Sequence, residues 1–477
     1  MKLSGKLVLV LGLGESGLAM ARWCARQGAR VRVADTRMAP PSLAALRASV
    51  ASAEFIPGDF IRIPDKTLLE GVDLLALSPG LSGGSLLVIE AHARGIPVQG
   101  EIELFAQALR DLGLRGQGER YSRVIAITGT NGKTTTTALA GHLCRAVGWD
   151  AEVAGNISPS ALTALMARQD GGRLPDVWVL ELSSFQLETT SSLNADAAAV
   201  LNVSEDHLDR YIDLGEYASA KARVFQGTGA QVLNRQDAHV RTMALPGRRL
   251  ISFGLDAPGM IDDFGLRVNS GEPWLVQGER YLLPQSVLPV AGQHNAANAL
   301  AALALCHAIG LPLPRLVEGL KSFKGLPHRV EKIAEIAGVR YFDDSKGTNV
   351  GATVAALTGL GGEDGGKIVL IAGGEGKGQD FSPLAQAVKR HARAVVLIGR
   401  DAPLIEAAIA STGLPVIHAD DMNASVRAAA AAARPGDAVL LSPACASFDM
   451  YRNYAHRAEV FAAAVQALAA DPAGAAA

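Results

Sequence analysis

The chain has 477 residues, of which 49% are hydrophobic and 19% are charged, so it can bury large cores and is not disordered throughout. Its 45 basic and 47 acidic residues give a net charge of −2, which argues against a nucleic acid or an anionic membrane as partner. Four isolated cysteines indicate neither a zinc site nor a disulfide framework, and no apolar run reaches the ~18 residues of a membrane span. We therefore expect a soluble, cytoplasmic protein.

Strand-like runs alternate with alanine- and leucine-rich helical stretches, which is typical of α/β layers around parallel sheets. At ~150 residues per domain, the length predicts three domains. We place them at residues 1–100, 101–325 and 326–477. The predicted strands cover residues 6–11, 30–35, 73–78, 95–98, 176–182, 197–203, 230–234, 339–343, 367–373, 394–399 and 438–442, and a further strand begins at residue 125. Short alternating runs over residues 252–289 predict a small β excursion in the second domain.

The first domain opens with a short apolar run followed by GLGESG at residues 12–17, and Asp35 closes the next strand. We interpret this run as a strand and not as a signal peptide. Glycines at this spacing are typical of a dinucleotide fingerprint, in which the acid reaches a ribose hydroxyl. The same glycines also permit tight strand–helix packing. The pattern favours a nucleotide and leaves open whether it is NAD.

The second domain opens with IAITGTNGKTTT, residues 125–136, which reads as a buried strand, a glycine loop and a helix. Backbone N–H groups of such a loop and the helix N-terminus converge on one point, where a polyphosphate binds. Lys133 would neutralise the β- and γ-phosphates, and the Thr134 hydroxyl would hold Mg²⁺. The strict pattern has glycine where this chain has Ile127, so Thr128 and Gly129 are expected to make the turn. A glycine turn with a surface lysine is the alternative, and the flanking residues favour ATP.

Further polar residues follow the apolar strands of the second domain. Glu181 ends one buried strand, at the sheet edge where ligands of open α/β sheets collect, and with Thr134 it could hold Mg²⁺. It could instead cap the following helix. His207 could bind metal or orient substrate, although a loop histidine is more often solvated. Lys221, taken alone, would pass for an ordinary surface lysine. Asn295 and Asn298 are three residues apart at a helix start, so both face one way, toward a base or ribose.

The third domain adds polar loops at its strand ends. Arg329 and Lys346 are suited to phosphate or carboxylate oxygens. The loop at residues 373–378 is flexible and carries a cation, and residues 442–447 offer hydroxyls and backbone donors at a helix start. Because several such loops follow strands, we expect the set to have a functional and not merely a structural role.

The motifs GTNGKTTT, ELSSFQLE, NVSEDHLDRY, YASAKARVF, GQHNAANALAA, GLPHRVE, DDSKGTN and SPACASFD occur in the order found in the Mur ligases of peptidoglycan precursor synthesis. The chain resembles this family over essentially its whole length. The last three motifs and residues 35–37 resemble the members that add D-glutamate. The resemblance implies an N-terminal Rossmann-like domain, a central P-loop ATPase-like domain with a mainly parallel sheet, and a C-terminal Rossmann-like domain.

The resemblance also assigns residues to each substrate. Those implied to contact ATP are Gly129, Thr130, Asn131, Gly132, Lys133, Thr134, Thr135, Asn295, Asn298, Arg329 and Asp344. Those implied at the UDP end of the substrate are Ser16, Asp35, Thr36, Arg37 and Gly80, with Asn156 and His207 at its muramoyl-alanine portion or at the metals. Those implied around D-glutamate are Lys346, Thr348, Ser447 and Tyr454, with Lys377 nearby. Some relatives have phenylalanine at the Tyr454 position, a difference that should matter little if the contact is made through the backbone N–H.

The implied catalytic residues are Lys133, Glu181, His207 and Lys221. In this family the lysine that matches Lys221 carries a carbamate. Such a carbamate would join Thr134, Glu181 and His207 as a ligand of two Mg²⁺ ions. Nothing in the local sequence reveals this modification.

The implied reaction is amide formation between D-glutamate and UDP-N-acetylmuramoyl-L-alanine through an acyl phosphate, with ADP and phosphate as products. The third domain would close over the second before reaction. We expect a monomer that acts on small molecules, without nucleic acid and without membrane insertion. The alternatives are another Mur ligase, a folylpolyglutamate synthetase-like ligase, a nicotinamide-dependent oxidoreductase and a non-catalytic nucleotide-binding regulator.

Overall fold

Three β-sheets follow one another along the chain in the computed structural model, which describes residues 3–60, 65–113, 121–206, 210–289, 292–361 and 366–470. The first unit contains β1 (Leu7–Leu11), α1 (Glu15–Arg26), β2 (Arg30–Asp35), α2 (Leu43–Ser49), β3 (Glu54–Pro57), β4 (Leu74–Leu77), α3 (Leu86–Ala93), β5 (Val98–Gln99) and α4 (Glu101–Asp111). Its five strands are all parallel, in the order β3-β2-β1-β4-β5. The strand order reverses beside β1, which is where ligands of such sheets bind.

The second unit is built on a nine-stranded sheet. Its elements are β6 (Arg123–Thr128), α5 (Lys133–Ala146), β7 (Ala151–Gly155), α6 (Ala161–Asp170), β8 (Val177–Glu181), α7 (Ser184–Glu188), β9 (Ala197–Val200), α8 (Leu214–Ala222), β10 (Ala230–Asn234), α9 (Ala238–Arg241), β11 (Leu250–Phe253), β12 (Phe264–Asn269), β13 (Glu272–Gln277), β14 (Arg280–Pro284), α10 (Gln293–Ala308) and α11 (Leu313–Lys321). The order is β14-β13-β12-β11-β10-β9-β6-β8-β7. Of the strands described in this sheet, only β12, β13 and β14 pair in antiparallel fashion, so they are the predicted β excursion.

The third unit has six described strands. Its elements are β15 (Glu331–Ile336), β16 (Val339–Asp343), α12 (Val350–Leu360), β17 (Ile368–Gly373), α13 (Leu384–His391), β18 (Ala392–Ile398), α14 (Ala402–Ile409), β19 (Val416–His418), α15 (Met422–Ala432), β20 (Ala438–Leu441) and α16 (Tyr454–Ala470). The order is β15-β16-β20-β17-β18-β19, and of these six only β15 pairs antiparallel to its neighbour.

The predicted fold class is confirmed, since each predicted strand is present and most bounds agree within two residues. The sequence did not indicate the short strand β11, which begins at the exposed Leu250, or the four strands β3, β7, β15 and β19. All four lie at the edges of their sheets and are partly exposed, so they lack the continuous apolar runs of central strands. Each sheet falls within one predicted domain range, and the exact domain boundaries stay a prediction.

Among the described residues, no helix is both long and apolar enough to cross a membrane. The central strands carry the cores: β1, β4, β8, β9 and β20 are buried along their entire length. Buried parallel strands end at a common edge, and the polar residues that follow them are therefore brought together there.

Candidate active site

The phosphate loop joins β6 to α5 and depends on two glycines. Gly132 has φ +81°, and a Cβ there would lie 2.3 Å from Oδ1 of Asn298. Gly129 has φ +150°, and a Cβ there would lie 3.0 Å from the Leu201 side chain. Side chains are disfavoured at both positions by backbone conformation and by space. Ile127 and Thr128 both lie in the buried strand, so the loop begins later than in the strict motif, and the prediction that Thr128 helps to make the turn is wrong.

The loop is fixed by the segment after the neighbouring strand β9. Asn202 accepts hydrogen bonds from the backbone N–H of Thr130 at 2.9 Å and of Asn131 at 2.8 Å, through its carbonyl and its side-chain oxygen respectively. Its Nδ2 donates to the Asn131 carbonyl at 3.0 Å. Sequence reasoning did not single out Asn202. An asparagine directly after a buried strand beside the phosphate loop was the available signal.

Lys133 folds back over the loop. Its Nζ donates to the carbonyl oxygens of Gly129 at 2.8 Å and Thr130 at 2.7 Å. Burial lowers the pKa of Lys133, and the nearby carboxylate of Glu181 opposes that shift. The ammonium group therefore lies within the concave face of the loop, where a phosphate would be bound.

Two cations of the third unit meet the phosphate loop at Thr134. The Thr134 hydroxyl oxygen accepts from Nη2 of Arg329 at 3.0 Å and from Nζ of Lys346 at 3.2 Å. Burial, followed by the charge of Arg329, lowers the pKa of Lys346 to about 8. Nε of Arg329 is buried and has no hydrogen-bond partner among the described residues. With Lys133, three cations converge on this point, an arrangement that attracts an anion with several oxygens.

Glu181 presents a free carboxylate oxygen to the same region. The side chain is only 2% exposed, and its Oε1 accepts from Nδ2 of Asn156 at 3.0 Å, whereas Oε2 is buried without a partner in the part of the chain that the structure describes. The alternative that it caps the next helix is wrong, because Ser183 and Gln186 form a capping box at the start of α7. An unpartnered buried carboxylate oxygen fits a hard cation such as Mg²⁺.

Lys221 is 1% exposed, so its interpretation as an ordinary surface lysine is wrong. Its Nζ donates to the Gly129 carbonyl at 2.8 Å and lies 4.2 Å from the centre of the Tyr217 ring. Burial, followed by the charge of Lys133, lowers its pKa well below the usual value. A neutral amine is thereby favoured next to the phosphate loop. His207, the remaining predicted metal ligand, lies outside the described residues.

A pocket next to the loop is formed by the second and third units together. Asn295 and Asn298 face it from α10, as predicted, and Nδ2 of Asn298 donates to Oδ1 of Asn295 at 3.4 Å. Further lining residues are Asn131, Thr135, Phe253, His294, Arg329, Asp344, Ala352, Ala355 and Ala356. His294 was not predicted. Burial lowers its pKa to about 4, so it is neutral at pH 7.

Asp344 directly follows β16 in the third unit. Its Oδ2 accepts from Oγ of Ser442 at 2.7 Å, and burial raises the pKa of Asp344 to about 7. Nζ of Lys346 lies 5.3 Å from the centre of the Tyr454 ring, which brings two predicted D-glutamate residues together. Ser447 is buried after β20.

The first unit presents its predicted residues at the carboxyl edge of β1, β2 and β4. Thr36, Arg37 and Gly80 are exposed there, and Ser16 is partly exposed at the start of α1. Asp35 is 2% exposed and accepts from the Leu13 N–H at 2.7 Å and from the Arg37 guanidinium at 2.8 Å. Burial would raise the pKa of Asp35, but these bonds hold it below its usual value.

The glycine turn of the first unit has the packing role that the sequence left open. A Cβ at Gly17 would lie 1.9 Å from the Gly12 carbonyl oxygen, so α1 can approach β1 only with glycine at this position.

Three family models match the chain in order. Their descriptions are Mur ligase MurD-like, N-terminal domain, at residues 6–100, Mur ligase middle domain at 127–306, and Mur ligase, glutamate ligase domain, at 328–445. The chain belongs to the Mur ligase family. The predicted family and the predicted enzyme class, a ligase, are thereby confirmed.

Two relatives that are more than half identical to this chain carry the same name. UDP-N-acetylmuramoylalanine--D-glutamate ligase of Aromatoleum aromaticum is 59% identical to this Mur ligase over 469 residues, covering 98% of each chain. The protein of the same name in Nitrosospira multiformis is 54% identical over 476 residues, covering 99% of this chain and 98% of its own. The crystal structure of UDP-N-acetylmuramate-alanine ligase from Thermotoga maritima aligns with a TM-score of 0.59 at 20% identity, over 97% and 99% of the two chains, and shows the shared fold.

In this Mur ligase the phosphate loop of the second unit meets Arg329 and Lys346 of the third unit, and Asn295, Asn298, Arg329 and Asp344 line one pocket between these units. The predicted UDP residues Ser16, Asp35, Thr36, Arg37 and Gly80 lie at a separate edge, in the first unit, whereas Asn156 lies in the second unit beside Glu181. Lys377 lies on the loop after β17 with φ +54°, and Thr348 follows Lys346 in the loop before α12.

Proposed function

We propose that this Mur ligase joins D-glutamate to UDP-N-acetylmuramoyl-L-alanine with consumption of ATP, in peptidoglycan precursor synthesis. Relatives more than half identical over nearly the full length bear the name of this reaction. We further propose that it acts in the cytoplasm as a monomer on small molecules.

The observation that carries the proposal is the meeting of Arg329 and Lys346 at the Thr134 hydroxyl, next to Lys133, whose Nζ lies in the phosphate loop at the Gly129 carbonyl. The phosphate loop would bind the triphosphate of ATP, and the third unit would bring two more positive charges to the phosphate being transferred. Charge spreads over the phosphoryl oxygens during such a transfer, so fixed cations lower its barrier.

The chemistry requires an activated carboxyl group, because a carboxylate repels nucleophiles and oxide is a poor leaving group. The terminal carboxylate of the UDP substrate would attack the γ-phosphorus of ATP, which forms an acyl phosphate and releases ADP. The amine of D-glutamate would then attack the acyl carbon, lose a proton, and expel phosphate to leave the amide. Lys133 and Arg329 would hold the phosphoryl oxygens through both steps, while Lys346 would orient the anionic amino acid.

Mg²⁺ would be held by the free Oε2 of Glu181 and by the Thr134 hydroxyl, together with His207 and Lys221 as a carbamate. Burial lowers the pKa of Lys221 and so increases the share of its neutral amine, the form that reacts with CO₂, which supports this assignment. Two bound ions would offset the negative charge of the phosphates. Asn156, which holds Glu181, would act at the muramoyl-alanine portion of the substrate or through the metal.

The base of ATP would enter the pocket at Asn295, Asn298 and Asp344, whose amides and carboxyl can pair with purine or ribose groups. D-Glutamate would lie among Lys346, Thr348, Ser447 and Tyr454, with Lys377 nearby.

The UDP end would bind the first unit at Ser16, Thr36, Arg37 and Gly80. These residues lie at a strand-order reversal, where nucleotides bind in parallel sheets. Asp35 would contribute mainly by holding the Leu13 turn and the Arg37 side chain in place.

ADP release tests the proposal. The purified protein is given ATP, Mg²⁺ and UDP-N-acetylmuramoyl-L-alanine, with D-glutamate, L-glutamate or no amino acid. Release that needs both the UDP substrate and D-glutamate is expected. Release with a different amino acid and its matching acceptor would assign another ligase activity. ATP binding without turnover on any acceptor would indicate a non-catalytic regulator. Quenching of nicotinamide fluorescence when the protein is titrated into the cofactor would support the alternative of an oxidoreductase.

A further inference from the structure

Two side-chain amides connect the second and third units directly. Nδ2 of Asn349, in the segment before α12, donates to Oδ1 of Asn131 in the phosphate loop at 3.1 Å. Asn349 is 7% exposed, so water competes little for this bond. The predicted assignment of Asn131 to ATP did not anticipate this contact, and Asn349 had no predicted role.

Only one orientation of the Asn349 side-chain amide allows both its nitrogen and its oxygen to form hydrogen bonds. Its Oδ1 accepts from the Ala352 N–H at 2.9 Å and caps α12, which leaves Nδ2 to face Asn131. The next residue is also fixed, because the Val350 N–H donates to Oε1 of Gln379 at 2.9 Å. The donor is therefore aimed at the phosphate loop by the start of the helix.

Asn131 is an equally fixed acceptor. Its backbone N–H and carbonyl both bond to the side chain of Asn202. A Cβ at Gly351 would lie 3.0 Å from Nδ2 of Asn131, so the absence of a side chain at Gly351 lets the two units approach. Both partners are ordered before they meet, which limits the entropy lost on forming the bond.

The helix that Asn349 begins forms a wall of the nucleotide pocket through Ala352, Ala355 and Ala356. The segment just before it carries Lys346 and Thr348. The Asn349–Asn131 bond therefore links both the pocket wall and the segment that carries Lys346 and Thr348 to the phosphate loop.

This bond differs from the contacts that Arg329 and Lys346 make between the units. Both bond to the Thr134 hydroxyl, and both are cations that a phosphate group would attract away from it. The amide pair is neutral on both sides. It can persist as charge enters and leaves the site during a phosphoryl transfer.

We propose that Asn349 is a positioning residue that latches the third unit onto the phosphate loop through Asn131. The latch aligns Arg329 and Lys346 with the transferred phosphate and with D-glutamate. This inference rests on the proposed function for its kinetic consequence, and the latch itself is a structural property that can be measured separately.

The variant Asn349→Ser tests the latch, because serine also caps helices but is too short to reach Asn131. Asn349→Ala removes both the cap and the latch. Asp421→Ala is the matched control, since Asp421 caps α15 in the same unit through the Ala424 N–H. A double-mutant cycle with Asn131→Ala isolates the pair.

We expect Asn349→Ser to lower kcat/KM for D-glutamate about 2- to 10-fold, the range for one neutral hydrogen bond, with KM for the UDP substrate unchanged. In the Asn131→Ala background the same change should have little further effect. Asp421→Ala should lower the melting temperature and leave kcat/KM for D-glutamate unchanged.

Small-angle X-ray scattering with a non-hydrolysable ATP analogue and the UDP substrate measures closure without turnover. We expect a larger radius of gyration for Asn349→Ser than for wild type. Wild-type values for Asn349→Ser in either measurement, or additive effects in the cycle, would overturn the latch. If the wild type releases no ADP with D-glutamate, the proposed function fails, and the scattering comparison alone decides the latch.

Discussion

Nζ of Lys346, in the third unit, lies 3.2 Å from the hydroxyl oxygen of Thr134, the residue that follows the phosphate-loop lysine. The two residues are 212 positions apart in the chain. Their contact means that the proposed D-glutamate site and the proposed ATP site are parts of one cavity. It also means that the ionisation of Lys346 should influence both.

The ionisation of Lys346 predicts the pH dependence of D-glutamate use. Its pKa is lowered to about 8 by burial and by Arg329, so the group is charged below pH 8 and neutral above it. We expect kcat/KM for D-glutamate to fall as the pH rises through about 8, because kcat/KM reports groups of the free enzyme. Lys346→Arg should lower activity but remove this alkaline fall, since arginine stays charged. If the wild type and Lys346→Arg lost kcat/KM for D-glutamate over the same pH range, Lys346 would not be the group that titrates.

We expect Gly132 to be required for ATP binding as well as for the stability of the fold. Alanine at φ +81° costs about 1–2 kcal/mol, and its Cβ would displace Asn298. Gly148 is the matched control, because its φ is +93° and a Cβ there would meet no atom of the described residues within 4 Å. We expect both alanine variants to lose stability in thermal melts, with the larger loss in Gly132→Ala because of its contact with Asn298, and only Gly132→Ala to weaken ATP binding, by roughly 10-fold or more, in calorimetric titrations. Equal ATP affinities would refute the steric argument.

Glu181 should set the requirement for Mg²⁺. Glu181→Gln keeps the shape and the bond from Asn156 but removes the charge at the free oxygen. The Mg²⁺ concentration for half-maximal activity should rise more than about 10-fold, and Asn156→Ala should raise it by a factor within about 10- to 100-fold. Glu279→Gln, at an exposed residue between β13 and β14, serves as the control. An unchanged Mg²⁺ requirement in Glu181→Gln would remove this residue from the proposed metal site.

Lys221 should take up CO₂. Burial and Lys133 lower its pKa, so a larger share of the amine is neutral near pH 7 and able to form a carbamate. We expect one carbamate signal in ¹³C NMR with labelled bicarbonate, lost on acidification and absent from Lys221→Met. Lys389→Met, at an exposed position of α13, should retain it. A signal that survives in Lys221→Met would place the modification elsewhere.

The sequence by itself determined the three α/β units, the phosphate loop and the amides of α10. Each depends on a local pattern: a buried strand, glycines at special backbone positions, or two residues on one helical face. Such patterns are fixed within a few neighbouring residues, so they can be read without knowing the rest of the fold. The resemblance then supplied roles for residues such as Lys221, whose neighbours in sequence reveal nothing of its burial.

Tertiary structure alone decided which of these residues meet. The Lys346–Thr134 and Asn349–Asn131 bonds join segments about two hundred residues apart, and the four edge strands depend on pairing with a neighbour. The lowered pKa of Lys221 and the unpartnered buried oxygen of Glu181 also result from the tertiary structure. Burial and long-range contact are properties of the packed chain, and no local pattern specifies them.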